Sequence, residues 1–316
     1  FNAGFKGFCS SFTGVAFAFA GTELVGLASA ETAEPRKVLP KACQQVVIRI
    51  VLFYILSLLL VTFVVPYNDP RLTNGHGHYD PHTSPFVIAL RIGQIKVLPH
   101  IVNAVIIVST LSVANSSVYA SSRTMLSLAE QGFAPSLFKY VDRAGRPLPA
   151  VIVSLAFGLL AFLIYASNEG TIFSWMLSIS GLSAIFAWGS ICLCHIRFRA
   201  AWKYQGLTLR QLSWASPLGT IGSYIGLSLC ILVVIATFYV SAFPIGEASM
   251  NGNDRAENFF NGMISLVIVI VFGLVYKLFA RTRFVRLGEM DIHTGRRESV
   301  GDEVLEQEQA EKRAQP

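Results

Sequence analysis

The sequence predicts an all-α membrane protein that crosses the bilayer several times, and three observations carry that expectation. Of 316 residues, 53% are hydrophobic and only 14% charged, against about 25% charged in an average soluble domain. The mean hydropathy is +0.54. Seven apolar runs are bounded by charge, proline or glycine, most of them near the roughly 20 residues a helix needs to cross about 30 Å of hydrocarbon.

In chain order the runs cover 8–27, 46–65, 98–120, 150–166, 172–194, 221–243 and 259–279. The first contains an alternating stretch over 15–20, Val-Ala-Phe-Ala-Phe-Ala. In water that pattern favours a strand, but a lone strand in lipid leaves its backbone polar groups unpaired, so a helix is expected. Basic residues orient the set. Arg36, Lys37 and Lys41 follow the first run, Lys139, Arg143 and Arg146 the third, Arg197, Arg199, Lys203 and Arg210 the fifth, and Lys277, Arg281, Arg283 and Arg286 the seventh. The alternate loops hold only Arg71, Arg91, Lys96 and Arg255. The basic loops are placed in the cytoplasm, and the first run enters from outside. Residues 1–281 are read as the transmembrane domain. Residues 282–316 are read as a cytoplasmic tail, charged, poor in aromatics and solvated. The chain opens at Phe1 in apolar sequence with no basic leader, which sets the expectation that upstream helices are missing.

The same features exclude other classes. The formal charge of +6 comes from loops flanking the runs, so the lipid bilayer and not nucleic acid is the expected partner. Five cysteines, at 9, 43, 192, 194 and 230, define no disulfide framework. His76, His78 and His82 cluster in an outer loop, where a solvated loop competes with a metal site; no metal is expected. The sequence lacks the glycine-rich and metal-protease signatures of nucleotide-binding and hydrolytic enzymes. No cofactor is expected.

Glu23 carries the sharpest chemical signal, as the one carboxylate well inside any run. Placing an Asp at the bilayer centre costs roughly 2.5–3.5 kcal/mol on insertion scales, so an acidic residue there generally faces a cavity or a partner and marks a pathway. A purely structural carboxylate bonded to neighbouring helices is the alternative. Gly7, Gly14, Gly21 and Gly26 lower the helical preference around it, and a break is expected at Gly21. Broken backbone at membrane depth is tolerated only where it lines a cavity, and there it can bind charge; close helix packing is the other use of such glycines. On the third run, Ser109, Ser112, Ser116, Tyr119 and Arg123 share one helical face, with Asn115 and Ser117 beside it. That face either lines a polar path or bonds to adjacent helices. Gly219, Gly222 and Gly226 read as a helix start and a packing face, and Cys192 and Cys194 lie near the inner end of the fifth run.

Longer motifs then give a resemblance. Phe19-Ala20-Gly21-Thr22-Glu23-Leu24 with Ala30-Glu31, Glu34-Pro35-Arg36-Lys37 and Leu39-Pro40 resembles the sixth helix and following loop of fungal amino acid permeases. Leu111 to Tyr119, Ser122-Arg123, Glu130-Gln131-Gly132, Ala134-Pro135, Tyr140 to Arg143 and Gly145-Arg146-Pro147 are similar to that family's eighth helix and its loop. Ser174-Trp175, Trp188-Gly189-Ser190 and His195 to Arg199 are similar to its tenth. The resemblance implies a leucine-transporter-like fold in the amino acid, polyamine and organocation superfamily, represented by helices six to twelve, with helices one to five needed to complete the site. It further implies an unwound stretch at Ala20, Gly21 and Thr22, a gate at Phe17, and a role in binding or proton coupling for Glu23. Asn115 and Ser116 would lie on the pocket wall. The function implied is an amino acid:proton symporter of the plasma membrane working by alternating access. A nutrient sensor on the same fold and a membrane-embedded enzyme are the competing classes; the second lacks any intramembrane His and acid pair at catalytic spacing.

Overall fold

A computed structural model describes residues 4–27, 32, 34–73, 84–95, 97–165, 169–209, 212, 214–245, 250–292 and 294. Among these residues the regular structure is entirely helical. Two compact units share the chain. One joins the described residues of Phe1–Gly21 and Phe173–Pro316; the other is built from Thr22–Ile172.

The Thr22–Ile172 unit begins with α2 (Leu24–Leu27) and α3 (Pro35–Arg49), which continues through a π-helical segment, Ile50–Leu56, into α4 (Ser57–Val64). Pro35 lies in the first turn of α3, where the missing N–H leaves no bond unmade. The short helices α5 (Pro70–Thr73) and α6 (Pro85–Ile92) follow, and α6 buries Val87 and Ile88 while packing against α7 and α4. Helix α7 (Leu98–Glu130) is 33 residues long. It stops where Gly132 takes φ +81, with Phe133 N–H donating to Leu128 O (2.8 Å) and Gly132 N–H to Ala129 O (3.0 Å). These two bonds form a Schellman cap, and its left-handed position favours glycine.

Beyond a short 3-10 turn, Ser136–Lys139, the loop to α8 is organised by Asp142. Its Oδ1 accepts the N–H groups of Ala144 (2.9 Å) and Arg146 (2.7 Å), and its Oδ2 accepts Arg146 Nε (2.9 Å). The Arg146 N–H, followed by the Arg146 guanidinium, holds the Asp142 carboxyl below its usual range. Arg123 on α7 donates to Gly145 O at 3.1 Å, tying the loop to the helix. The hydroxyls of Ser121 and Ser154 meet at 2.8 Å and fasten α7 to α8 (Leu148–Gly158), which runs on as a 3-10 helix over Leu159–Tyr165.

The other unit contains α1 (Gly4–Phe19), α9 (Glu169–Tyr204) from Phe173 onward, α10 (Gly219–Ala242) and α11 (Gly252–Ala280). Ala16 of α1, Leu182 and Ile185 of α9 and Met263 of α11 form its buried centre. Small residues set the approach of its helices, as expected where lipid is as apolar as the protein. A Cβ at Gly226 would stand 3.0 Å from Cys192 Sγ, and one at Gly262 would strike Ser241 Oγ. Polar bonds add to this packing: Asn261 Nδ2 donates to Ser174 Oγ (2.7 Å) and Ser265 Oγ to Ile179 O (2.7 Å). His195 Nδ1 and Ser223 Oγ lie 2.6 Å apart. Helix α11 opens on a capping box between Asn251 and Asp254.

Among the described residues each of the seven apolar runs is helical over most of its length, and five helices are long and apolar enough to cross a membrane: Lys37–Val64, Leu98–Glu130, Gly170–Tyr204, Gly219–Ala242 and Gly252–Ala280. The fourth run divides into α and 3-10 segments, and the first is broken. One expectation is corrected. The segment just past Thr282 is not wholly solvated, because Leu287, Met290 and Ile292 pack on α9; its charge density hides those apolar positions. Residues 295–316 lie outside the described residues.

Gly262→Ala should lower the apparent thermal midpoint of the purified protein, since overpacking costs about 1–3 kcal/mol, and Ser241→Ala should recover part of the loss. A second expectation concerns pH. Because the folded Asp142 titrates below its unfolded value, its contribution is complete above the unfolded carboxylate range and is lost as pH falls through the folded value. Hydrogen-exchange protection at Ala144 and Arg146, measured against the intrinsic rate at each pH, should therefore fall in acid in the native protein and already be reduced at neutral pH in Asp142→Asn.

Candidate functional site

The first apolar run does not fold as one rod. Helix α1 ends at Phe19, a turn occupies 20–23, and α2 starts at Leu24. Gly21 sits at φ +98, a conformation open to glycine and strained for any residue with a Cβ. The sequence therefore supplies the residue that permits the turn at the place where the turn occurs. The division between the two compact units also falls here, between Gly21 and Thr22.

Ala20, Gly21, Thr22 and Glu23 are brought together by this turn, Ala20 exposed and the other three half-buried. The Glu23 carbonyl accepts Gly26 N–H at 2.9 Å, starting the short α2, which packs against α3 and α7. A helix end and a helix start meeting within four residues take backbone carbonyls and N–H groups out of the ladder. In a membrane protein such groups need a polar environment, and a carboxylate beside them needs one still more.

Asn115 and Ser116 lie on α7, in the same unit as Thr22 and Glu23, and are exposed, as are Ser109 and Ser112. Further along that face the pattern changes from exposed to engaged. Arg123 lies over the Tyr119 ring at 5.8 Å and bonds the loop at Gly145. The polar stripe thus divides into a packed end and an open stretch. Phe17 falls within α1, but its side chain lies outside the described residues, as do His76, His78 and His82. The sequence reading did not single out Asn261 and Ser265, whose amide and hydroxyl join α11 to α9. Their signal was an Asn and a Ser four residues apart in an apolar run.

An all-helical chain with several membrane-length helices and one further helix interrupted at glycine is a polytopic membrane protein. More particularly, it belongs to the amino acid permease family: the family described as "Amino acid permease" matches residues 1–288. Over 315 residues the chain is 51% identical to the "General amino-acid permease GAP1" of Saccharomyces cerevisiae, covering 99% of this chain and 51% of that one. It is 49% identical over 315 residues to the "Amino-acid permease GAP5" of Candida albicans, covering 99% and 50%. With the "Cationic amino acid transporter 1" of Schizosaccharomyces pombe the identity is 47% over 320 residues, covering 99% and 53%. The chain spans about half the length of the curated relatives it matches. No solved structure matches it. Family membership sets the membrane-enzyme class aside.

Two glycines of the first run should respond oppositely to the same substitution. Gly21→Ala places a Cβ at positive φ, at a cost of roughly 1–2 kcal/mol, and should lower the apparent thermal midpoint. Gly14, inside α1 with nothing within 4 Å of its Cβ position, should tolerate alanine or gain about 0.5–1 kcal/mol from it.

Proposed function

We propose that this chain forms part of an amino acid:proton symporter that works by alternating access in the plasma membrane. Its helices take the places of the sixth to twelfth in the family's twelve, and its C-terminus faces the cytoplasm. The observation that carries this reading is the interruption at 20–23 with Glu23 inside it, in a chain of the amino acid permease family. Such breaks are where transporters of this kind bind substrate and coupling ions near the bilayer midplane.

Ala20, Gly21 and Thr22 are the unwound stretch that meets the polar groups of an amino acid, Phe17 gates it, and Asn115 and Ser116 on α7 line the path. Glu23 exchanges the coupled proton. A carboxyl held away from water favours its protonated form, while an ammonium group close by favours the ionised form; arrival and departure of a substrate can therefore move a proton without any covalent step. The printed names of the relatives, permeases and amino acid transporters, support an amino acid as the cargo. The basic loops after the first, third, fifth and seventh runs support the orientation.

Glu23→Gln in the intact protein, expressed in cells lacking their own permeases, should reduce radiolabelled amino acid uptake about tenfold or more, or leave an uptake that no longer follows external pH. A tenfold loss corresponds to about 1.4 kcal/mol. Uptake with its pH dependence intact would remove Glu23 from the mechanism.

A further inference from the structure

Past the end of α11 the chain turns back onto α9. Arg281 takes a left-handed conformation at φ 45, and the residues after it run along the C-terminal end of α9. There Ala201 and Trp202 are buried with Ile292, and Phe198, Leu207, Leu212, Leu287 and Met290 pack around them. Side chains of α9 and of the turn just beyond it hold the returning backbone directly. Arg197 stacks on the Phe284 ring at 4.2 Å and donates from Nη2 to Val285 O at 2.6 Å. Gln205 Nε2 donates to Met290 O (2.8 Å) and Leu287 O (3.4 Å). Gly288 passes so close to Tyr204 that a Cβ would stand 2.9 Å from the ring.

We infer that residues 284–292 are a displaceable strap whose seat is the C-terminal end of α9, and that its docking holds α9 and α11 together through the transport cycle. The inference rests on the transport reading above for its second half. The strap is a short peripheral segment with no regular helix that buries only Ile292 fully and leaves Phe284 and Val285 exposed, the kind of element that opens locally at low free energy. Its seat is specific: a cation–π contact, three side-chain bonds to strap carbonyls and one glycine-sized gap. Helix α9 carries the seat at one end and, sixteen residues earlier, Ile185 in the core that contains Ala16 of the broken helix. At about 1.5 Å per residue the two lie roughly 24 Å apart along one rigid rod. Releasing the strap frees the end of that rod without touching the turn at 20–23.

The test uses the intact protein in membranes, with the exposed Cys43 and Cys194 replaced by serine and Ile292→Cys as a reporter, read by maleimide labelling. The thiol should be shielded in the parent and label about tenfold or more faster when Gly288→Leu pushes the strap off Tyr204. Adding Tyr204→Ala should restore the shielding. Amino acid uptake, normalised to protein in the membrane, should fall in maximal rate in Gly288→Leu with KM changed less than about twofold, and should recover in the double variant. Immediate labelling of the parent would overturn the docked strap. Unmasking with unchanged uptake would overturn its action on transport, and so would a fall in uptake that Tyr204→Ala does not rescue while shielding returns. If the transport reading itself is wrong, uptake is absent from every variant and the labelling pattern alone survives.

Discussion

In hydrocarbon a backbone carbonyl or N–H group has no water to turn to, and most of this structure obeys the resulting rule that each segment satisfies its own ladder. The long helices α7, α9, α10 and α11 are the direct result. The turn at 20–23, on which the functional reading depends, is where the helical ladder of the first run is interrupted. It sits within an apolar run, takes glycine at positive φ, and is followed at once by a carboxylate. Since the two compact units divide between Gly21 and Thr22, the interruption is also the covalent joint at which α1 parts from α2.

How the helices hold one another follows from the same solvent. Apolar burial gives little advantage between helices already in lipid, so small residues and modest hydrogen bonds carry the contacts. Gly226 against Cys192, Gly262 against Ser241, Ser121 with Ser154 and Asn261 with Ser174 are all of this kind. Charge is kept to the ends. The Asp142–Arg146 turn lies beyond the end of α7, and Arg197 near the end of α9 meets Phe284 beyond the end of α11; each fixes a loop instead of a span. Helix α9 matters because it meets both worlds: Leu182 and Ile185 lie in the apolar core beside Ala16, and Ala201 and Trp202 lie under the returning chain.

Length and hydropathy made the seven helical runs legible, because an apolar run of that size in lipid has one outcome for its backbone. The break was legible too, since Gly21 and Glu23 each argue against an unbroken lipid-facing helix. Helix α7 was underestimated: its last turns, Ser121 to Glu130, are too polar to count as a span, yet they remain helical to the Gly132 cap. The strap was hidden for a different reason. Leu287, Met290 and Ile292 follow neither a helical nor a strand period and stand among Arg283, Arg286, Glu289 and Asp291, so composition reads as solvent while the contacts are with Trp202. Packing partners ninety residues away in sequence leave no local trace.

The remaining question is why a chain of this kind keeps Glu23 at all. If the residue served only as a strut between helices, the bond it makes would be of the order measured for interhelical hydrogen bonds, about 0.6 kcal/mol on average. If the first run enters the bilayer as proposed, the burden of its carboxylate, by the Asp value, is roughly 2.5–3.5 kcal/mol. The first does not offset the second, and a Gln in the same place could make a similar bond without the charge. A half-buried carboxylate, in a turn that only glycine makes easily, in a chain of the amino acid permease family, is therefore poorly explained by packing alone.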